Sequence, residues 1–453
     1  MVGGVSGFLR LHNGAPIHLF LKFFGDRFRI LEAPLRIGML TYRGNPRSGG
    51  QGIYIRLLSR ALVELGHQVD VWSGQPYPEL LDGVNLHEIP SLDLWNDPDK
   101  PRHEALRQVK DSIDLAEWAS TVTGGFKEPI TFCRRVARRL TAMDGSFPYD
   151  ILHDNQSLGG ALLPLQAYAP LVATIHHPVT RDRRLALEAS RGIKQWWGHF
   201  RFYNFLPEQI RVARQMERVM TVSDCSRADI AEEYRISEDR MRVVGNGIHV
   251  DVFQPIAGAL RVPDRLITTL SADQPLKGFR FLAEALALVR KVHPEMQLTV
   301  IGEPGQRTGT ADRIRELGLE DAIEFTGRVE DHEIAERYSR ATLAVVPSLY
   351  EGFGFPAGEA MACEVPLVST RGGALPEVVG PDGQCGVLAE PGDAADLARA
   401  ILDVLAMTPE RRAAMGEAGR RRVLENFTWR RAAERTVDVY REAMALREER
   451  AAC

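Results

Sequence analysis

The chain has 453 residues, of which 44% are hydrophobic and 26% charged, and its formal net charge is -4. This length predicts two or three domains, and the lack of a basic excess disfavours nucleic acid as the main partner, since such partners are bound through counterion release. The five cysteines have no paired spacing, which disfavours a zinc module or a disulfide framework and is typical of a reducing cytosol.

The sequence predicts neither a signal peptide nor a membrane span. The N-terminal stretch lacks a basic cluster followed by a clean apolar run and a small-residue cleavage site. Nor does any stretch reach about 18 uninterrupted apolar residues. We therefore expect a cytoplasmic protein.

The first predicted unit combines a strand, a glycine loop and an amphipathic helix. The strand LRIGMLTY (35–42) runs into a loop containing RSGGQG, a helix follows and ends near Gly66, and the next strand contains QVDVWS. This strand–helix–strand pattern predicts a doubly wound parallel sheet. The apolar residues at helical spacing are Ile53, Leu57, Leu58, Ala61, Leu62 and Leu65.

The alternation of strands and helices continues in two series. Strands at 149–156 and 170–178, with a strand and capped helix over 218–234, complete a predicted N-terminal domain. A second series starts near residue 265 and predicts a second α/β domain. Two doubly wound domains leave a cleft between the carboxyl ends of their sheets, where ligands bind in such folds.

Two glycine loops and a lysine are predicted to face this cleft. One loop contains Gly49 and Gly50, the other is Gly352-Phe353-Gly354-Phe355, and Lys277 stands between a strand and a helix. Glycines let backbone N–H groups approach an anion at a helix start, so the set suggests a diphosphate. Alternatively, the glycines only form turns and the lysine is solvated. Neither loop has the pattern of a nicotinamide site or a P-loop.

Two carboxylates flank the second glycine turn. Glu351 precedes it, and Glu359 lies one or two turns along the following helix. The segment EGFGFPAGEAMACEVPLVST that contains them closely resembles the signature of family 4 of the retaining nucleotide-sugar glycosyltransferases, which have the GT-B fold. Further segments resemble the same family in the same order: RSGGQGIY, ATIHHP, VVGNGIHVDVFQP, PLKG, GGALPEVV and FTWRRAAERTVDVYREA.

The resemblance implies a role for each matching residue. Glu351 is implied to lie against the donor sugar, Glu359 to bind the ribose hydroxyls, and Lys277 to neutralise charge on the leaving diphosphate. Gly49 and Gly50 would approach the phosphate from the other domain. His176 would lie near the sugar and the acceptor, as a third catalytic residue. The amides of Phe353, Gly354 and Phe355 would hold the diphosphate.

The resemblance also implies a nucleoside-diphosphate sugar, with uridine or guanosine as the base, as donor substrate, and no other cofactor. No metal is expected, because no Asp-x-Asp motif stands in a plausible site. Retention of configuration is implied, but the route stays open because the two-carboxylate hydrolase route needs a nucleophile that we cannot assign. One position departs from the family, because Ser271 stands where many members have an arginine. A second cation for the diphosphate, besides Lys277, is therefore expected from Arg47, Arg328 or Arg371, or is absent.

Two other features have competing interpretations. His153-Asp154 and His176-His177 end predicted strands and are candidate metal ligands, but no third or fourth ligand at a suitable spacing accompanies them. The alternative for His176 is the contact with substrate described above. The segment 181–218 carries nine Lys/Arg against four Asp/Glu among six large aromatic residues. It predicts either a helix that lies on an anionic membrane or a helix pair that packs its aromatics inward.

We therefore expect a cytoplasmic retaining hexosyltransferase, either free in the cytoplasm or peripheral at the inner face of the membrane, with a glycan, lipid or small-molecule acceptor. Two alternatives are an epimerase or phosphorylase of the GT-B fold and a non-catalytic subunit that binds nucleotide sugars. The expected organisation is an unassigned extension (1–34), an acceptor-side domain (35–255), a donor-binding domain (256–429) and a terminal helix (430–453) that crosses back to the N-terminal domain.

Overall fold

The computed structural model describes residues 33–45, 50–96, 104–143, 146–270, 274–303 and 309–452. They form two parallel sheets with helices on both faces. The seven-stranded sheet has the order β3-β2-β1-β4-β5-β6-β7, and the six-stranded sheet has the order β10-β9-β8-β11-β12-β13. This is the α/β, doubly wound pair that the sequence predicted, and we call the parts around the two sheets the N-terminal and C-terminal halves.

The strands of the N-terminal half are β1 (Arg36–Thr41), β2 (Gln68–Ser73), β3 (Val84–Glu88), β4 (Ile151–Asn155), β5 (Leu171–Ile175), β6 (Arg218–Thr221) and β7 (Met241–Val243). Those of the C-terminal half are β8 (Arg265–Thr269), β9 (Gln297–Ile301), β10 (Ile323–Phe325), β11 (Leu343–Val346), β12 (Leu367–Thr370) and β13 (Val387–Ala389). In each sheet the strand order reverses at one point, between β1 and β4 and between β8 and β11. Ligands of open α/β sheets bind at such points.

The helices of the N-terminal half are α1 (Gly50–Glu64), α2 (Ser112–Val122), α3 (Glu128–Thr141), α4 (Val179–Glu188), α5 (Ile193–Phe202), α6 (Leu206–Ala213) and α7 (Asp224–Tyr234). Those that follow are α8 (Phe279–Val289), α9 (Thr310–Glu316), α10 (Asp331–Arg340), α11 (Phe355–Ala362), α12 (Leu375–Val379), α13 (Ala394–Leu405), α14 (Pro409–Asn426) and α15 (Trp429–Ala452). Short 3-10 helices lie at Glu104–Gln108, Gly160–Ala167, Glu238–Arg240 and Pro275–Lys277. Among the described residues no helix is both long and apolar enough to cross a membrane.

Alternate residues of the strands pack into separate cores, as expected for sheets covered on both faces. Met39 belongs to a core with α1 and α15, whereas the next residue, Leu40, packs with α3 and α7 on the opposite face. The helix residues confirm most of the predicted apolar face of α1, where Leu57, Leu58, Ala61 and Leu62 are buried. Ile53 was placed on that face but is 38% exposed, because helical spacing aligns it with the exposed Arg60 and Glu64 at the edge of the face.

Helix α15 begins beside the C-terminal half and packs on the N-terminal half. Its apolar residues share a core with α1 and the first sheet. The hydroxyl of Tyr440 lies 2.7 Å from Nδ1 of the buried His153, and Arg450 pairs with Glu217 at 2.9 Å. Thr428, just before the helix, bridges to Ile248 in the segment that leaves the first sheet, so the two connections between the halves run side by side.

Candidate functional site

The starts of two helices meet at the cleft, one from each half. Gly50 is the first residue of α1, and a Cβ atom added to it would lie 3.5 Å from Cε2 of Phe355, the first residue of α11. Both helix N-termini carry free N–H groups and a partial positive charge. The structure therefore brings Gly50, one of the predicted phosphate-binding residues, to the start of α11 in the other half. The predicted partner residue, Gly49, lies outside the described residues.

The turn before α11 presents its backbone amides. Gly354 has a φ of +103°, and a Cβ there would come within 2.7 Å of Cδ2 of Leu375, so only glycine fits without strain. Within the described part of the chain, the N–H groups of Phe353, Gly354 and Phe355 donate to no protein acceptor. Successive free N–H groups at a helix start have the geometry that suits an anion.

Lys277 and Glu351 form an ion pair beside this turn. The Lys277 ammonium lies 2.8 Å from Oε1 of Glu351, which also accepts a hydrogen bond from the Ser348 hydroxyl at 2.8 Å. The two side chains are only 21% and 11% exposed, so each charge depends on the other for compensation. The structure therefore brings together the lysine and the first of the two glutamates that the sequence singled out.

Glu359 lies on α11 without a cationic partner among the described residues. Burial raises the pKa of its carboxyl to about 8, and the negative charge of Asp331 adds to the shift. It lies near the buried Tyr338, whose hydroxyl contacts Thr269 at 2.8 Å. At neutral pH the unliganded protein holds this carboxyl mostly protonated.

His176 follows β5 on the other side of the cleft. Its Nε2 lies 2.7 Å from Oδ1 of Asn155, and its ring meets Tyr54 edge-on at 4.7 Å. Burial, together with the neighbouring His177, lowers the pKa of His176 to about 3, so the ring is neutral at physiological pH. A Cβ on Gly352 would lie 3.0 Å from the His176 carbonyl oxygen, which puts His176 against the glycine turn.

Several contacts that were not predicted from the sequence join the two halves at this point. Gly352 O accepts hydrogen bonds from the hydroxyls of Ser223 at 2.7 Å and Ser226 at 3.3 Å. The Glu377 carboxylate accepts from the backbone N–H groups of Asp224 and Cys225, each at 2.7 Å. These bonds tie the start of α7 to the C-terminal half, because a carboxylate is favoured at a helix N-terminus.

The same contacts extend to Tyr350, whose hydroxyl donates to Asp229 at 2.6 Å. Arg181 pairs with the same carboxylate at 2.8 Å and lies over the Tyr350 ring at 3.9 Å.

The structure describes some of the remaining cation and metal candidates. Arg371 pairs with Asp382 at 2.7 Å and Glu390 at 3.3 Å, so carboxylates already compensate it. Ser271 and Arg47 lie outside the described residues. Within the described ranges, no group of three or more His, Cys, Asp or Glu side chains is arranged to hold a metal ion. His153 instead bonds to Tyr440 and Thr174, and His177 lies 2.8 Å from Asp182.

The aromatic segment 181–218 divides into two parts. Phe205 is buried, and Phe202 and Tyr203 pack in the same cluster around Phe126. Trp196, Trp197 and Phe200 stack on one another along α5, and they are 41%, 57% and 37% exposed. The interpretation as an inward-packed helix pair therefore describes the second part, and the first part presents an aromatic surface.

Comparison with known proteins gives consistent matches. A model described as Glycosyltransferase Family 4 matches residues 48–252, and one described as Glycosyl transferases group 1 matches residues 254–422. An MMP alpha-(1->4)-mannosyltransferase of Mycolicibacterium hassiacum is 45% identical over 416 residues, which are 91% of this chain and 99% of that protein.

More distant proteins share the same organisation. A D-inositol 3-phosphate glycosyltransferase of Corynebacterium jeikeium is 27% identical over 442 residues, which are 91% of this chain and 96% of that protein. The structure of a sucrose-phosphate synthase from Thermosynechococcus elongatus superposes with a TM-score of 0.69 at 24% identity, over 91% of this chain and 100% of that one. This last likeness concerns the fold.

Proposed function

Because this chain belongs to family 4 of the glycosyltransferases and has the GT-B fold, we propose that it transfers mannose from a nucleoside-diphosphate mannose to the 4-hydroxyl of a glycan acceptor, with retention and without a metal. The sugar and the linkage rest on the name of the mannosyltransferase that shares 45% of its residues. An α-linked product corresponds to retention when the donor sugar is itself α-linked.

The proposed donor site lies between the starts of α1 and α11. The free amides of Phe353, Gly354 and Phe355 bind the diphosphate, and Gly50 allows it to approach from the other half. Lys277 neutralises the negative charge that grows on the leaving diphosphate, and Glu351 keeps that lysine in place. Fixed donors and a cation at a developing charge are the strongest stabilisation that such a site offers.

Glu359 binds the ribose hydroxyls of the nucleotide in this proposal. Hydroxyl donors favour the ionised carboxylate, so nucleotide binding lowers the raised pKa of Glu359. His176 contacts the sugar from the N-terminal half, where the acceptor binds. We place the acceptor in that half because the C-terminal half holds all of the phosphate donors except the start of α1.

The observation that carries the proposal is the Lys277–Glu351 pair beside three free amides and opposite His176. A sugar diphosphate matches this set, because it needs donors and a cation at one end and polar contacts at the other. A phosphorylase would consume inorganic phosphate instead, and an epimerase would need additional acid and base groups at the sugar.

The test uses the full chain in a metal chelator, with GDP-mannose, UDP-glucose and other common nucleotide sugars, and short α-1,4-linked mannosides as acceptors. We expect release of nucleoside diphosphate that depends on the acceptor, and a product whose new anomeric signal in NMR is α. The response to the two bases decides the donor. Product with a β anomer would overturn retention.

Two other outcomes would replace the proposal. Binding of a nucleotide sugar in a thermal-shift assay without release of nucleoside diphosphate, with glycan or lipid acceptors, would indicate a non-catalytic subunit. Phosphate-dependent turnover, or a changed sugar without transfer, would indicate a phosphorylase or an epimerase.

We also propose that the aromatic surface of α5 contacts anionic lipid at the inner face of the membrane. Trp196, Trp197 and Phe200 are exposed there, and the adjacent Arg184, Arg191 and Lys194 are exposed cations. Aromatic side chains beside cations favour the headgroup region of a bilayer.

The lipid proposal is tested by co-sedimentation with vesicles that contain anionic or only zwitterionic lipid. We expect binding only to the anionic vesicles, with loss in a Trp196→Ala/Trp197→Ala variant and retention in Leu260→Ala, which changes another exposed apolar residue. Equal sedimentation of the double variant and the unchanged protein would contradict it.

A further inference from the structure

Asn155 ends β4 at the reversal point of the first sheet and is fully buried. Its Oδ1 lies 2.7 Å from Nε2 of His176, and its Nδ2 lies 3.3 Å from Oγ1 of Thr41. Thr41 is the last residue of β1 and is fully buried too. The side chains at the ends of β1 and β4 thus form a series of hydrogen bonds that ends at His176 in the cleft.

The hydrogen-bonding capacity of these groups sets the direction of each bond. The Thr41 hydroxyl has one hydrogen, which it donates to the carbonyl of Arg43 at 2.8 Å. Toward Asn155 it can therefore only accept, so the amide NH₂ faces Thr41 and the amide oxygen faces His176. An amide oxygen accepts, and hence Nε2 of His176 carries the ring hydrogen.

The other ring nitrogen, Nδ1, then holds a lone pair. Within the described residues no group donates to it. The backbone of His176 and His177 is fixed as well. The side chain of Gln156 accepts a hydrogen bond from His176 N at 2.8 Å and donates one to His177 O at 2.9 Å.

Gln156 is 2% exposed and has a φ of +56°. A non-glycine residue keeps such a conformation only where its surroundings fix it, and functional sites are where this is common. Tyr54, which meets the His176 ring edge-on, is itself bonded to Thr174 at 2.9 Å. The ring thus has a fixed plane and a fixed tautomer before any ligand arrives.

We propose that Asn155 is a positioning residue that, oriented by Thr41, holds His176 as the Nε2–H tautomer and so presents Nδ1 as an acceptor for a sugar hydroxyl. A lone pair attracts a hydroxyl hydrogen and repels a phosphate oxygen, so this contact recognises the sugar and not the diphosphate. The inference rests on the proposed function, because the hydroxyl belongs to the transferred or the receiving sugar.

The test combines a spectroscopic and a kinetic measurement on the full chain. Long-range ¹H–¹⁵N correlation NMR of the histidine rings reports which nitrogen carries the hydrogen, and the His176 signals are assigned by their loss in His176→Gln. We expect the Nε2–H tautomer in the unchanged protein and a mixture in Asn155→Leu and Thr41→Val. Thr41→Ser keeps the hydroxyl, and we expect this variant to retain the single Nε2–H tautomer.

Turnover is expected to fall by about 10- to 100-fold in Asn155→Leu, as for a lost hydrogen bond in the transition state, and less in Thr41→Val. The thermal shift caused by nucleoside diphosphate should stay the same, because that ligand does not contact His176. Asn85→Leu is the matched control, since Asn85 bonds to Asp70 on the same sheet far from the cleft.

The Nδ1–H tautomer in the unchanged protein would overturn the inference, as would unchanged turnover in variants whose tautomer has shifted. Failure of the proposed function has a different signature: the unchanged protein then transfers no sugar, whereas the NMR experiment still decides the tautomer.

Discussion

The two sides of the cleft hold their functional groups by different means. On the N-terminal side, neutral hydrogen bonds among buried side chains fix His176 through Asn155. On the C-terminal side, charges dominate, since Lys277 pairs with Glu351 and Glu359 has no cation beside it among the described residues. The hydrogen bonds on the N-terminal side are in place before any ligand binds. On the C-terminal side, the protonation state of Glu359 can change when a ligand binds.

The largest expected effect on turnover comes from removing the ion pair between Lys277 and Glu351 on the C-terminal side of the cleft. In Lys277→Met the leaving diphosphate loses its cation and the mostly buried Glu351 loses its partner. We expect turnover to fall by about 10²–10³ and the free energy of unfolding by about 1–3 kcal/mol, measured by steady-state kinetics and denaturant titration. Adding Glu351→Gln should restore most of the stability but not the turnover.

Arg340→Met serves as the control for this variant, because it removes an exposed cation paired with Glu336 and should change stability by no more than about 1 kcal/mol. Near-normal turnover in Lys277→Met would place the diphosphate elsewhere.

The second effect concerns the protonation of Glu359. Its folded-state pKa of about 8 lies above the usual 4.5, so the folded protein holds more protons than the unfolded chain between these values. The free energy of unfolding therefore falls as pH rises through that window and levels off above about pH 8, with up to about 1.4 kcal/mol for each pKa unit. In Glu359→Gln this part of the pH dependence should vanish.

Nucleotide binding gives the opposite trend in the same window. Because ribose hydroxyls favour the ionised carboxylate, the affinity for nucleoside diphosphate should increase from pH 6 to pH 8 in the unchanged protein, and much less in Glu359→Gln. Calorimetric titrations at several pH values measure this. A parallel dependence in both proteins would remove Glu359 from the ribose site.

The smallest effect comes from the contact between the two sides. In Gly352→Ala the new Cβ lies 3.0 Å from the His176 carbonyl oxygen, whereas Gly198, on exposed α5, has nothing within 4 Å. We expect Gly352→Ala to lose about 1 kcal/mol of stability and to show a larger radius of gyration in small-angle scattering. Gly198→Ala should be neutral or slightly stabilising, as in an exposed helix. Identical scattering of the Gly352→Ala variant and the unchanged protein would show that this contact does not hold the halves together.

The charged side was the easier one to predict from the sequence. Its turn, both glutamates and the helix that carries Glu359 lie in one short stretch, from Tyr350 to Ala362, and a local pattern of glycines and charges is visible along the chain. Lys277 was predicted to face the cleft because it stands between a predicted strand and a predicted helix.

The neutral side depends on partners that are far apart in the chain. Asn155 is 114 residues from Thr41 and 21 from His176, and polar residues at strand ends are too common to indicate such a chain of bonds. The Glu377 carboxylate, 153 residues from Asp224, was missed for the same reason. The short edge strands β3, β7 and β13 also lacked a clear signal, because three to five residues are too few to show a periodicity.

The return of α15 to the first sheet has a consequence for the order in which the molecule can form. Trp429, Val437 and Tyr440 belong to the core of the half that is translated first, yet they are translated only after the whole second sheet and its helices. During synthesis that half exposes the apolar surface that α15 later covers, a surface prone to association in a crowded cell. The core of the N-terminal half is thus completed only after the C-terminal half has been synthesised, and a nascent chain released before α15 would lack the helix that covers this core.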